Sequence, residues 1–126
     1  MPSVSAPFRP DPTNAGNPSM PVTALTEADF DQATAQGVCV LDFWAPWCGP
    51  CRMQGPIFES VAAEFEKSGR PVRFYKVNVD EEPMLAQQFG IMSIPTLILF
   101  KGGEVANQSV GVISEADIKA FVEQAL

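Results

Sequence analysis

The stretch Val38-Cys39-Val40-Leu41-Asp42-Phe43-Trp44-Ala45-Pro46-Trp47-Cys48-Gly49-Pro50-Cys51-Arg52 decides how this chain folds. Its first seven residues are apolar or β-branched except for Asp42, the pattern of a strand covered on both faces. From Pro50 to about Ser68 the pattern turns helical, with Ile57, Phe58, Val61, Ala62 and Phe65 on one stripe and Gly69 as terminator. Pro56 lies inside that helix and predicts a kink, because its ring removes one intrahelical donor. A short loop joins strand to helix, and it delivers two thiols, Cys48 and Cys51, to the helix N-terminus.

Working outward, Val22–Leu25 predicts a short edge strand. Thr26-Glu27-Ala28-Asp29 has the form of a capping box that opens a helix ending near Gly37. Val72–Val79 predicts a second long strand, followed by a short helix that Asp80 would cap, with Pro83 in its first turn and Gly90 at its end. Thr96–Lys101 and Glu104–Val110, joined by Gly102-Gly103, read as a hairpin. Ser114-Glu115-Ala116-Asp117 repeats the capping-box form and opens a last helix with Ile118, Phe121, Val122 and Ala125 inward. This order, βαβαβ and then αββα, predicts an α/β fold with a central mixed sheet of five strands and four helices on its two faces.

The 126 residues suit one domain with a substantial core. Residues 1–21 contain six prolines, Pro2, Pro7, Pro10, Pro12, Pro18 and Pro21, and are expected to form a disordered arm, leaving 22–126 as the domain. That arm carries one basic residue, Arg9, and no apolar core of a targeting signal, so the cytoplasm is the expected location. A net charge of −7 excludes the basic stripe of a nucleic-acid-binding surface. No apolar run approaches the length of a membrane-spanning helix, and no membrane partner is expected.

Two cysteines at this spacing on a helix N-terminus can open and close a disulfide with little backbone movement, and the unpaired N–H groups and the helix dipole there favour a thiolate at Cys48. A thiolate there attacks a substrate disulfide, and Cys51, one turn deeper, resolves the mixed disulfide. Gly49 allows the tight turn, Pro50 fits the first helical turn, and neither adds an ionisable group, which favours a reductant over an oxidant. The rival reading is half of a zinc site. Structural zinc takes four ligands, whereas this chain has no histidine and its third cysteine, Cys39, sits in the predicted core strand. Cys39 is read as a small core residue, and no metal is expected. Asp42 is the single charge in its strand, costly to bury without a role, and it is placed to exchange a proton with Cys51 through water. Lys76, in the middle of the next strand, is a candidate partner for Asp42, although a lysine taken alone is more often a surface residue. Trp44 reads as core and Trp47 as exposed beside the reactive sulfur. An X-Pro bond is cis in only about 5–6% of folded cases, so the residues alone leave Ile94-Pro95 unassigned.

These residues resemble the thioredoxin family through several separated motifs. They are Asp42 to Cys51, Lys76-Val77-Asn78-Val79-Asp80, Ile94-Pro95-Thr96, Phe100-Lys101-Gly102-Gly103 and Gly111, and the match runs over roughly Val22 to Leu126. The resemblance implies a thioredoxin fold and a general protein-disulfide reductase that cycles between a Cys48–Cys51 disulfide and a dithiol. It implies Cys48 as the attacking thiol, Cys51 as the resolving one, Asp42 as a buried acid/base and Lys76 as its modulator. Pro95 would be a cis-proline facing the dithiol. Trp47, Gly49, Pro50, Ile94, Pro95, Val110, Gly111 and Val112 would form an apolar docking surface, with Trp44 and Pro56 as structural support. No cofactor would be bound: electrons would come from NADPH through a flavin-dependent thioredoxin reductase, the other partners being disulfide-containing client proteins, and the chain would act as a monomer. Pro46, Arg52, Gly55 to Glu59 and Phe89 to Pro95 are similar to the second bacterial type, whose N-terminal zinc ribbon has no counterpart here because no cysteine precedes Cys39.

Overall fold

The structure is a computed structural model and describes residues 21–126. The expected Pro-rich arm therefore lies outside the described residues, apart from Pro21. The chain runs β1 (Val22–Ala24), α1 (Phe30–Thr34), β2 (Val38–Trp44), α2 (Gly49–Lys67), β3 (Val72–Asn78), α3 (Pro83–Gln88), β4 (Thr96–Lys101), β5 (Glu104–Val110) and α4 (Glu115–Glu123). The five strands form one sheet in the order β1-β3-β2-β4-β5. β1, β3 and β2 are parallel to one another, and β4 and β5 are antiparallel additions.

The apolar run of β2 has its cause in this topology. β2 is the middle strand, paired on both edges and covered on both faces, so alternating residues feed two separate cores. Val38 and Val40 pack with Phe58, Val61, Ala62 and Phe65 of α2 and Ile118, Phe121 and Val122 of α4. Cys39, Leu41 and Phe43 face the opposite way, toward Phe30 of α1 and Leu85 of α3. Cys39 is fully buried there as a free thiol, as the sequence predicts, and burial pushes its pKa up. By the same period of two, Asp42 points to the α2 face, and Lys76, its partner in register on β3, follows Phe74 onto that face.

The Gly102-Gly103 turn has φ of 60° and 87° at its two centres, the left-handed pair that a tight hairpin needs and that β-carbon-bearing residues resist. The two capping motifs have different fates. Ser114 caps α4 as expected, its Oγ accepting the Asp117 N–H at 3.1 Å. Thr26 does not cap α1. Its hydroxyl donates to Asp29 Oδ2, and the helix starts only at Phe30, with no side-chain cap from Asp29. The reason is tertiary: Glu27 is drawn to α3, where its carboxylate accepts the Met84 N–H at 2.9 Å while its own N–H donates to Glu82 Oε1 at 2.8 Å. Asp80 likewise does not cap α3, whose N-cap position is Glu82. The carboxylate of Asp80 is engaged elsewhere, at the dithiol loop. α2 continues through Pro56, which is exposed and has no N–H for the Arg52 carbonyl. No helix among the described residues is long and apolar enough to cross a membrane.

Candidate active site

β2 ends at Trp44, and the loop Ala45-Pro46-Trp47 carries the chain to Cys48, which stands at the N-cap of α2 with an extended backbone. Pro50 fills the first turn, where a missing N–H costs no helical bond. Cys48 and Cys51 are joined in a disulfide with Cα atoms 5.2 Å apart. Their burial is nearly equal, at 5% and 3% exposed, so accessibility does not set them apart. Their surroundings do. Cys48 Sγ accepts the Cys51 N–H at 3.2 Å, at the positive end of a 19-residue helix, and so lies where negative charge on sulfur is stabilised.

Cys51 instead faces inward, onto a cavity of ≈ 210 Å³ whose lining includes Asp42, Trp44, Pro56 and Lys76. The cavity has room for water. Asp42 is 3% exposed, and its Oδ1 has no hydrogen-bond partner among the described residues. Desolvation of that carboxyl pushes its pKa up to about 7, against the opposing pull of the Lys76 charge. Lys76 is half-buried and makes no ion pair with Asp42 among the described residues; its ammonium stands 5.6 Å from the centre of the Trp44 ring. It acts on Asp42 as a nearby charge. Trp44 is half-buried, a wall of this cavity more than a core residue, and its indole N–H is buried without a partner among the described residues.

On the outer side of the disulfide, Ile94–Pro95 is a cis peptide, and the Ile94 carbonyl oxygen lies 3.7 Å from Cys48 Sγ. Pro95 is buried and Ile94 half-buried. Pairing of Thr96 with Val110 brings the end of β5 to the same place, and the Gly111 N–H donates to the Pro95 carbonyl at 2.8 Å. Gly111 has φ of 96°, a left-handed backbone that would strain any residue with a β-carbon. Val110 and Val112 on either side of it are exposed, as are Gly49 and Pro50. Trp47, 66% exposed, shares a second cleft of ≈ 200 Å³ with Ile94 and Met92. The fold thus brings Trp47, Cys48, Ile94, Pro95 and the Val110–Val112 loop to one end of the sheet, and Asp42, Lys76, Trp44 and Pro56 to the cavity beneath.

Two side-chain roles in this region escaped the reading from sequence. Asp80 accepts the Trp47 indole N–H at 2.9 Å, which orients the exposed ring; a loop acid gave no hint of a partner 33 residues upstream. Gln54 is fully buried on the α2 stripe and bonds to Ile113. Its signal was available: a polar residue four positions before Phe58 interrupts an otherwise apolar face. Among the described residues no group of three or more His, Cys, Asp or Glu stands close enough to hold a metal ion.

The thioredoxin family model matches residues 21–124 of this chain. The chain belongs to the thioredoxin family. It is 44% identical over 103 residues to thioredoxin of Listeria monocytogenes, covering 82% of this chain and 97% of that protein. It is 39% identical over 107 residues to thioredoxin of Staphylococcus aureus, covering 85% of this chain and all of that protein. Among solved structures, a thioredoxin of Malassezia sympodialis superposes with a TM-score of 0.75 at 40% identity, covering 84% of this chain and 94% of its own. With its Cys48–Cys51 pair, this member of the thioredoxin family is a thiol–disulfide oxidoreductase, a protein-disulfide reductase on the thioredoxin fold.

Proposed function

We propose that the reductase works by division of labour between the two sulfurs. The Cys48 thiolate attacks one sulfur of a client disulfide; that S–S bond breaks, the second client sulfur leaves as a thiolate, and a Cys48–client disulfide forms. Cys51 then loses its proton through cavity water to the ionised Asp42 and attacks Cys48 Sγ. The mixed disulfide breaks, the second client thiolate leaves, and two electrons have passed from the dithiol to the client. The observation that carries this assignment is the asymmetry of surroundings: Cys48 Sγ accepts a helix N-terminal N–H, whereas Asp42 shares its cavity with Cys51.

Lys76 modulates Asp42 by its charge, and Trp44 and Pro56 wall the proton route. Trp47, Gly49, Pro50, Ile94, Pro95, Val110, Gly111 and Val112 form the face on which an extended client segment docks beside Cys48. NADPH, through thioredoxin reductase, restores the dithiol, and the protein works as a monomer in the cytoplasm as an electron donor of the second bacterial type.

The test is insulin reduction coupled to thioredoxin reductase. The expected result is NADPH oxidation that depends on both proteins and on insulin. Insulin reduction driven by dithiothreitol but not by NADPH and the reductase would refute the proposed electron source while leaving the thiol chemistry in place.

A further inference from the structure

We propose that Gln54 is a positioning residue for client docking: its buried side-chain amide holds the Val110–Val112 loop in place against the helix that carries the dithiol. This rests on the docking face proposed above.

Gln54 lies one turn beyond Cys51 on the buried side of α2 and is 0% exposed. An amide that leaves water must have both ends paired or it destabilises the fold. Both ends are paired, and to a single residue 59 positions away. Gln54 Oε1 accepts the Ile113 N–H at 2.9 Å, and Gln54 Nε2 donates to the Ile113 carbonyl at 3.1 Å. The side chain therefore bonds to one backbone residue as a neighbouring strand would, at a point where β5 has ended and α4 has not begun.

Beyond the pairing of Val110 with Thr96 that ends the β4–β5 ladder, the Gly111 N–H on the Pro95 carbonyl is the other tether of this loop among the described residues. Val112, exposed, sits between the two tethers. One tether fixes the loop to the cis-proline, the other to α2, so together they set the spacing between the apolar rim and the sulfurs. An apolar residue at position 54 would fill the same core space but leave the Ile113 N–H and C=O without these partners. Gln54 does not line the Asp42–Cys51 cavity and makes no bond to either sulfur, so its effect falls on binding and not on the thiol chemistry.

Gln54→Met removes both bonds at nearly constant volume. In coupled insulin reduction its KM rises about fivefold, the size expected when loss of about one net hydrogen bond frees the docking loop, with kcat changed less than about twofold. Val112→Ser, which alters the rim directly, is measured beside it and also raises KM. In the unsubstituted protein, hydrogen exchange shows the Ile113 amide protected more strongly than that of Val112, a reading that does not depend on the variant folding. A Gln54→Met protein with unchanged KM beside a Val112→Ser protein with raised KM overturns the role of Gln54 and leaves the docking face standing. Unchanged KM in both removes the docking face and the proposal with it. A fall in kcat at constant KM, or an Ile113 amide that exchanges as fast as its neighbours, also overturns it.

Discussion

The two sides of the Cys48–Cys51 disulfide are built from opposite materials. Beneath it, Asp42, Lys76 and Trp44 line a cavity, and each departs from how a globular protein usually treats that residue type. A carboxylate is desolvated, a lysine is half-buried over an aromatic ring, and an indole N–H is unpaired among the described residues. Above it, Trp47, Val110 and Val112 are apolar and exposed, held by bonds from Asp80, Pro95 and Gln54 that are each well made. Electrostatic tension is confined to the side proposed to move a proton, and orderly hydrogen bonding to the side proposed to meet a partner. A proton acceptor needs a pKa near ambient pH, which only burial or a neighbouring charge supplies to a carboxyl. A docking face needs shape kept constant at low cost in ordering.

The sharpest break between the sides is Cys51→Ser. With the resolving sulfur gone, turnover on protein disulfides is abolished while Cys48 still attacks, so clients accumulate as mixed disulfides on Cys48, visible on non-reducing gels and by mass spectrometry. Clients trapped instead on Cys51 of a Cys48→Ser single variant would show that the two roles were misassigned.

Asp42→Asn tests the tension below. In the folded state the carboxyl holds its proton up to about pH 7, against an ordinary value of 3.8. Between those values the unfolded chain has released a proton that the folded protein still binds, so the stability attributable to this group falls as pH rises, and is level above about 7. The asparagine variant lacks that slope. It is expected to be more stable than the parent by roughly 4 kcal/mol at pH 8, with little of that gap below about pH 4, at about 1.4 kcal/mol per pH unit of difference. Urea unfolding across the range reads this directly, and parallel curves would mean that Asp42 is solvated. The same variant loses the rise in mixed-disulfide resolution that the parent shows as Asp42 ionises near pH 7.

The smallest of the three effects belongs to the upper side. Trp47→Ala raises KM for insulin about tenfold, the worth of roughly 1.4 kcal/mol of aromatic contact, without shifting the stability–pH curve. A shifted curve would show that the two sides are coupled.

Much of this was legible in the residues. The run Val38–Trp44 carries the central strand because a strand buried on two faces has to be apolar throughout, and Asp42 stands out for the same reason. Ile118, Phe121 and Val122 of the last helix and Ala125 just beyond its end are all buried, and Ser114 caps it as its motif predicts. Thr26-Glu27-Ala28-Asp29 has the same local form and a different outcome, since Glu27 meets a helix N-terminus 57 residues downstream. The helix cap assigned to Asp80 failed likewise, because the indole of Trp47 lies within its reach.

The sequence by itself determined which segments form strands and helices, which face of each is apolar, and that a dithiol stands at a helix N-terminus with one acid in the strand before it. These follow from periodicity and from the preferences of single residues, which act within a few positions along the chain. Only the tertiary structure decided that Lys76 faces Asp42 as a charge without bonding to it, that Asp80 orients Trp47, and that Gln54 holds Ile113. Each depends on hydrogen-bond partners or charges brought together across 33 to 59 residues of chain, and no local pattern encodes which distant backbone group a side chain will meet.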